Sequence, residues 1–377
     1  MEPGLAGGNL TLRLFTWATV FGKPGSSDFR VEDLVRVLIP CPVGINPFLT
    51  RLAAALRTQE VIDDVTHDLV PFWGRTRGYD IVHIHWPEAL FEWQEPDEDA
   101  LQRVGAKLDA WCEQAKIIVT IHNRHPHYKD TVRFRRLYST VYRHATGIVH
   151  IGQTSVTEFR EAYPALSHLP YSVIPIGEYD CYRQEVTMEA SRQWLGIPSD
   201  AFTCVSFGAL RHIEEVDLLL QGFRAVAVLA KHLVIAGQVA LPRGRLKRWS
   251  YRLRNLHDSQ ITLALGYIPD DEVQNYVTPG NVLVIPRLKV LNSANVSLGF
   301  TFGKVVVGPR TGVVGEMLES TGNPTFTPGD ADSLAEALQQ ARDLCEGNKG
   351  QWNRAYARRY WNWERIAEQH VGMYETA

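Results

Sequence analysis

Cysteine is scarce in this chain, and its placement gives it no structural pattern. The 377 residues hold five: Cys41, Cys112, Cys181, Cys204 and Cys345, odd in number, scattered and without a Cys-x-x-Cys pair. This excludes a disulfide frame and a cysteine zinc cluster, and fits reduced, buried thiols in a cytosolic protein. Apolar runs of the roughly 20 residues needed to cross a bilayer are missing as well. The apolar stretch Leu10 to Phe21 is short, is interrupted by Arg13, and lacks the basic start and small-residue cleavage site of a signal peptide. It reads as an extra strand or a loosely packed arm. A field of one sign is also absent. Lys and Arg total 39 against 42 Asp and Glu, a net charge of -3, which excludes a general nucleic-acid binder and leaves only local basic patches.

What is present is an ordinary globular mixture, 45% hydrophobic and 21% charged, long enough for two domains. Short apolar runs alternate with helix-length segments. Strands are expected at Val35–Pro40, Asp80–His85, Lys116–His122, Gly147–Ile151 and Tyr171–Ile176. Glu178–Asp200 is polar and reads as a connection. A second alternating series has strands at Phe202–Phe207, His232–Ala236, Ile261–Leu265, Val282–Ile285, Val305–Val307 and Pro324–Phe326. Runs this apolar are covered by helices on both faces, as in parallel sheets of βαβ units. The expected fold is therefore α/β, with two doubly wound domains facing across a cleft. The expected division is 1–180, a linker at 181–200, 201–350, and a C-terminal helical segment at 351–377. In such sheets ligands sit beyond the carboxyl ends of the strands.

Two histidine clusters follow consecutive strands: His83-x-His85-Trp86-Pro87-Glu88 and His122-Asn123-Arg124-His125-Pro126-His127. Imidazole and carboxylate in a cleft suit proton transfer to or from a hydroxyl. The same residues could bind zinc or act as buried structural donors. In the second half, Gly208 permits close backbone approach and Arg211 carries a fork that fits a diphosphate. Asn292-Ser293-Ala294-Asn295-Val296 opens a helix, whose first amides favour an anion, with Ser293 also the natural N-cap. Tyr267 and Ile268 follow another strand. Arg243–Arg254 and Arg124–His144 are basic, and either suits an anionic membrane surface or a solvated helix face.

The ordered set FGALRHIEEVDLLLQGF, LGYIPDDEVQNYVTPGNVLVIP and NSANVSLGFTFGKVVVGPRTGVVGE resembles the nucleotide-binding lobe of GT-B glycosyltransferases, especially the retaining family 4. GINPFLTRLAAAL, VHIHWPE, VTIHN and VIPIGEYD resemble the first lobe of bacterial exopolysaccharide glycosyltransferases. WNWERIAEQHVGMYE is similar to the helix that crosses back onto that lobe. The likeness covers most of the chain after about residue 35. It implies two Rossmann-like domains and transfer of a sugar from a UDP- or GDP-sugar to a glycan or lipid-linked acceptor. The nucleotide-sugar is a substrate; neither a cofactor nor a metal is implied.

By the same resemblance Gly208, Arg211, Tyr267, Ile268, Asn292, Ser293, Ala294, Asn295, Val296 and Glu316 would bind the donor. His122, Glu88 and His85 would be catalytic. Gly44, Asn46, His83, Trp86, Asn123 and His125 would approach acceptor or sugar. The implied setting is the cytoplasm, peripheral at the inner membrane face through the basic helices. The chain departs from family 4 in having Glu214 where a lysine is usual, Val290 and Leu298 in place of paired glutamates, and no histidine before Gly177. It therefore resembles a divergent branch. A nucleotide-sugar-binding homologue without activity and a sugar-nucleotide epimerase are the alternative readings.

Overall fold

The computed structural model describes residues 34–44, 47–126, 130–240 and 258–377. Asn46, Lys129, the Leu10–Phe21 stretch and the basic run Arg243–Arg254 lie outside them. The described strands form two six-stranded sheets, and every pairing in both is parallel.

The first sheet comprises β1 (Val35–Ile39), β2 (Ile62–His67), β3 (Ile81–Ile84), β4 (Lys116–Ile121), β5 (Gly147–His150) and β6 (Tyr171–Val173). Their spatial order is β2-β1-β3-β4-β5-β6. The second comprises β7 (Phe202–Phe207), β8 (Lys231–Gly237), β9 (Ile261–Leu265), β10 (Val282–Val284), β11 (Val305–Pro309) and β12 (Thr325–Phe326), in the order β12-β11-β10-β7-β8-β9. The chain reverses direction of growth between β1 and β3 in one sheet and between β7 and β10 in the other. These are the switch points at which doubly wound sheets open a ligand crevice.

The strands form where the apolar runs predict because their side chains are buried on both faces. Val37, Leu38, Ile39, Ile81, Val82 and Ile84 are all inaccessible to solvent, as are Val282, Leu283 and Val284. β2 is an unexpected element. Its sequence, IDDVTH, sets two acids between Ile62 and Val65 and carries no continuous apolar run. It lies at the sheet edge, where charge is tolerated and deters pairing with another chain. The polar connection also contains an unexpected helix, Met188–Leu195, capped by Thr187 at one end and by left-handed Gly196 at the other. The aromatic C-terminal segment resolves into two helices, Lys349–Tyr360 and Trp363–Thr376.

The second of these helices packs on the first sheet. Lys116 Nζ donates to the carbonyl of Tyr374 at 2.9 Å, and the Tyr374 ring is buried beside β3. At the break between the two helices the chain is fastened to the joint between the lobes. Trp363 Nε1 donates to the Glu178 carbonyl at 2.7 Å, and the Glu178 amide donates to the Trp361 carbonyl at 2.8 Å. Gly177 is small by necessity, since a Cβ there would stand 2.7 Å from the Trp363 ring. Phe48 packs against the other side of that ring, with centroids 5.6 Å apart. Trp363→Ala should therefore lower stability by about 3–5 kcal/mol, the usual loss on emptying a buried aromatic site. Urea unfolding checks this, and an unchanged midpoint would show that the joint is fixed by something else.

Candidate functional site

The loops after β1 and β3 and those after β7 and β10 carry most of the residues singled out above. Phe207 ends β7, and Gly208 follows with φ of 91°, a conformation that disfavours a side chain. Nothing lies within 4 Å of where its Cβ would stand, so the backbone borders open space. The Arg211 amide donates to Glu215 Oε2 at 2.7 Å, which ties the loop to the helix Ile213–Ala225. Glu215 is buried and also receives Arg287 Nη1 at 2.7 Å, while Arg287 Nη2 donates to the Ala209 carbonyl. The Gly208–Arg211 turn is thus held from behind by a buried ion pair. Glu214, the residue at the usual lysine position, is exposed.

The loop after β10 leads into the helix Ala294–Thr301, with Ser293 as N-cap. Its asparagines have tasks other than reaching outward. Asn295 Nδ2 donates to the Phe207 carbonyl at 2.7 Å and so fastens the helix start to the end of β7. Asn292 Nδ2 crosses to the other lobe and donates to the carbonyls of Ile121 and His122, at 3.1 and 2.9 Å. Both side chains act within the protein, which leaves the backbone amides of this turn as the expected donor contacts. They position the amides of Ser293–Val296, and their own donors are spent on carbonyls.

Glu316 reaches the first lobe. Its two carboxylate oxygens accept the amides of Gln153 and Thr154, at 2.8 and 2.6 Å, at the start of the first-lobe helix Gln153–Ala162. A carboxylate satisfied by a helix N-terminus is stabilised there by both hydrogen bonds and dipole. Tyr267 projects into solvent beyond β9, 78% exposed, and Ile268 beside it is half-buried.

Across the gap, His122 follows β4. Its ring stacks on Trp86, with centroids 4.3 Å apart and 22° between planes, and Phe48 meets it edge-on at 5.4 Å. His122 Nε2 lies 3.0 Å from His85 Nδ1. Which of the two donates depends on the tautomer. Behind them the rings of His83 and His85 stand 4.2 Å apart, and His370 stands 5.2 Å from His83. The arrangement is a row of four imidazoles that begins in the helix Trp363–Thr376 and ends at His122.

His83 is held within the core. It is fully buried, with Nδ1 at 2.9 Å from Tyr374 Oη and Nε2 at 2.8 Å from Thr120 Oγ1. Both nitrogens serve the core. Among the described residues no group of three or more His, Cys, Asp and Glu is arranged to hold a metal ion.

Glu88 lies in the turn Pro87–Phe91 and is buried. Tyr138 Oη donates to its Oε2 at 2.6 Å. Burial raises its carboxyl above the usual range, against the lowering effect of that hydrogen bond. Glu88 lies near enough to Cys41, at the end of β1, to help burial push that thiol to about 12. His125 sits near Tyr138, with centroids 6.3 Å apart, and Asn123, next to His122, is buried. Gly44 is exposed in the first loop. On the basic helix Val132–Arg143, Arg133 and Arg136 lean on Glu98, and Arg135 pairs with Asp130. Sequence reading did not single out Arg287, His370 or Tyr374. Arg287 stands directly after a strand, a local signal that was available; the other two depend on long-range packing.

No family model matches the chain. Two curated relatives from Xanthomonas campestris pv. campestris, one from strain ATCC 33913, are named GDP-mannose:glycolipid 4-beta-D-mannosyltransferase. They are 23% and 24% identical over 350 and 346 residues, covering 88% of this chain and 88% of each relative. Among solved structures, Anabaena Alr3699/HepE in complex with UDP superposes with a TM-score of 0.65 at 15% identity, covering 90% of this chain and 99% of that one. Sucrose-phosphate synthase from Thermosynechococcus elongatus gives 0.61 at 14%, covering 90% and 98%. The two parallel sheets and their connection are the GT-B architecture. At these identities the likenesses show the fold, two Rossmann-like domains shared with glycosyltransferases of the GT-B type.

The imidazole row has a consequence for acid stability. Burial holds His83 and His85 well below the ordinary value, with neighbouring imidazoles adding to the effect, and holds His370 and His150 at about 3. In the unfolded chain all four titrate near pH 6.5. Below that pH the unfolded state binds more protons, so stability is complete above about 6.5 and declines as the pH falls toward 3. Each imidazole contributes up to about 1.4 kcal/mol per pH unit. Glu88 and Glu178, both raised by burial, act in the opposite sense, while His67 and His232, both lowered by burial, add to the four. Melting at pH 5.5 should fall well below that at pH 7.5, with net proton uptake on unfolding. Equal melting at the two values would contradict burial in the neutral form.

Proposed function

We propose that this chain moves a sugar from a UDP- or GDP-linked donor to a glycan or lipid-linked acceptor, as the glycolipid mannosyltransferase name of its relatives suggests. The observation that carries the reading is the seam at Asn292. It sets the diphosphate-type loops of the second lobe against the imidazole-bearing strand end of the first. A neighbour of the same fold takes UDP and UDP-glucose.

In this reading the diphosphate lies beside Gly208, with the Arg211 guanidinium and the amides at the start of the helix Ala294–Thr301 stabilising its charge, a role that requires no metal ion. Tyr267 and Ile268 border the base. The acceptor hydroxyl oxygen bonds to the anomeric carbon as the bond from that carbon to the phosphate oxygen breaks. The diphosphate leaves with the electron pair, and the hydroxyl proton passes to a base. His122, backed by His85, takes that proton or orients the sugar. Glu88, kept dry beside Tyr138, is the alternative base. Trp86, Asn123, His125 and Gly44 border the acceptor side. The exposed arginines of Val132–Arg143 would lie toward an anionic membrane face in the cytoplasm.

A second reading, a nucleotide-binding homologue without turnover, draws on two features. Val290 and Leu298 are buried and apolar where family 4 has paired glutamates, and Glu316 is engaged by Gln153 and Thr154. Binding of UDP or GDP with no sugar released from any donor would favour it.

Arg211→Ala should lower release of nucleoside diphosphate from the donor, with a glycolipid acceptor preparation present, by about a hundredfold or more, with folding unchanged. Unchanged turnover would remove Arg211 from the diphosphate site. His122→Ala should lower turnover similarly with little effect on UDP or GDP binding, and a variant as active as the parent would end its catalytic assignment.

A further inference from the structure

A groove of about 470 Å³ runs along the helix Lys349–Tyr360, lined by Gln351, Arg354, Ala355, Arg358 and Arg359. It is remote in character from the donor loops and belongs to the crossing between the lobes. Arg354 Nη2 donates to Gln184 Oε1 at 2.8 Å, in the connection that leaves the first lobe.

Three features set this groove apart. First, Lys349, Arg354, Arg358 and Arg359 follow one another with no acid between Gly347 and Trp363. Second, the guanidiniums of Arg354, Arg358 and Arg359 form no ion pair with a described residue. A second surface groove, beside Arg136 and Arg143, is smaller at about 210 Å³, and its Arg136 is paired with Glu98.

Third, Arg354 and Arg358 stand one helical turn apart, where like charges repel. The Nε of Arg354 is buried and has no hydrogen-bond partner. Burial and Arg358 together disfavour the Arg354 charge, and Glu178 only partly offsets them. Arg354, Arg358 and Arg359 thus gather positive charge along one groove against their own repulsion. Trp352 and Tyr360, both exposed, flank it.

We propose that the Arg354–Arg358 groove binds a phosphate group, free or on a lipid headgroup, at the joint between the lobes. The test uses the full chain. Thermal shift and calorimetric titration with inorganic phosphate and pyrophosphate, against chloride at matched ionic strength, form one arm. Flotation with phosphatidylglycerol vesicles against phosphatidylcholine vesicles forms the other. Both are repeated on Arg354→Gln/Arg358→Gln and on Arg211→Ala. Saturable stabilisation by pyrophosphate, or binding to the anionic vesicles, should weaken at least tenfold in the double variant and persist in Arg211→Ala. The first result identifies a free anion, the second a lipid headgroup. If the double variant does not fold, Arg358→Gln alone serves, since that side chain is exposed. No response in either arm, a response unchanged by the groove variants, or one lost only in Arg211→Ala overturns the proposal.

Discussion

The structure depends on one side-chain amide. Asn292 Nδ2, just before the second lobe's phosphate-type helix, donates to two consecutive carbonyls at the end of β4 in the first lobe. Carbonyls at a strand end that faces another domain need partners, and a single amide group satisfies both. The result is a fixed distance between the loops that would hold a leaving group and the histidine that would handle a proton. Glu316 on the Gln153–Ala162 helix start and Arg124 Nη1 on the Val290 carbonyl bind the same seam at its sides.

The imidazole row shows how one motif divides between structure and chemistry. His83 is locked between Tyr374 and Thr120, and His370 lies in the crossing helix. Desolvation keeps this inner half neutral. His85 is the pivot, buried like His83 yet bonded to His122, whose ring lies between Trp86 and Phe48. A histidine held by ring contacts and one nitrogen keeps its orientation, which proton transfer requires. The cost is borne as acid sensitivity, because the unfolded chain accepts the protons that the core refuses.

The strands were legible because parallel sheets bury both faces and leave continuous apolar runs. β2 was not, because an edge strand is free to set acids between Ile62 and Val65. The helix Met188–Leu195 was hidden by polar composition, although the Gly196-Ile197-Pro198 stop that ends it was visible. At the site, the loops were legible from their position after strands. The use of each side chain was not. Glu316 meets Gln153 across 163 residues and Asn292 meets Ile121 across 171, and no local pattern encodes such partners. Of the adjacent acids, Glu214 is exposed, and the buried one, Glu215, is neutralised by Arg287.

The central claim is that the second lobe holds a nucleoside diphosphate between the Gly208–Arg211 turn and the start of the helix Ala294–Thr301. Thermal melting with UDP and with GDP, each against its monophosphate, tests it most directly, since a ligand of the folded state alone raises the melting temperature. One of the two diphosphates should raise it in a saturable way, and its monophosphate should do so much less. No shift with either diphosphate, or equal shifts with mono- and diphosphate, would contradict the account.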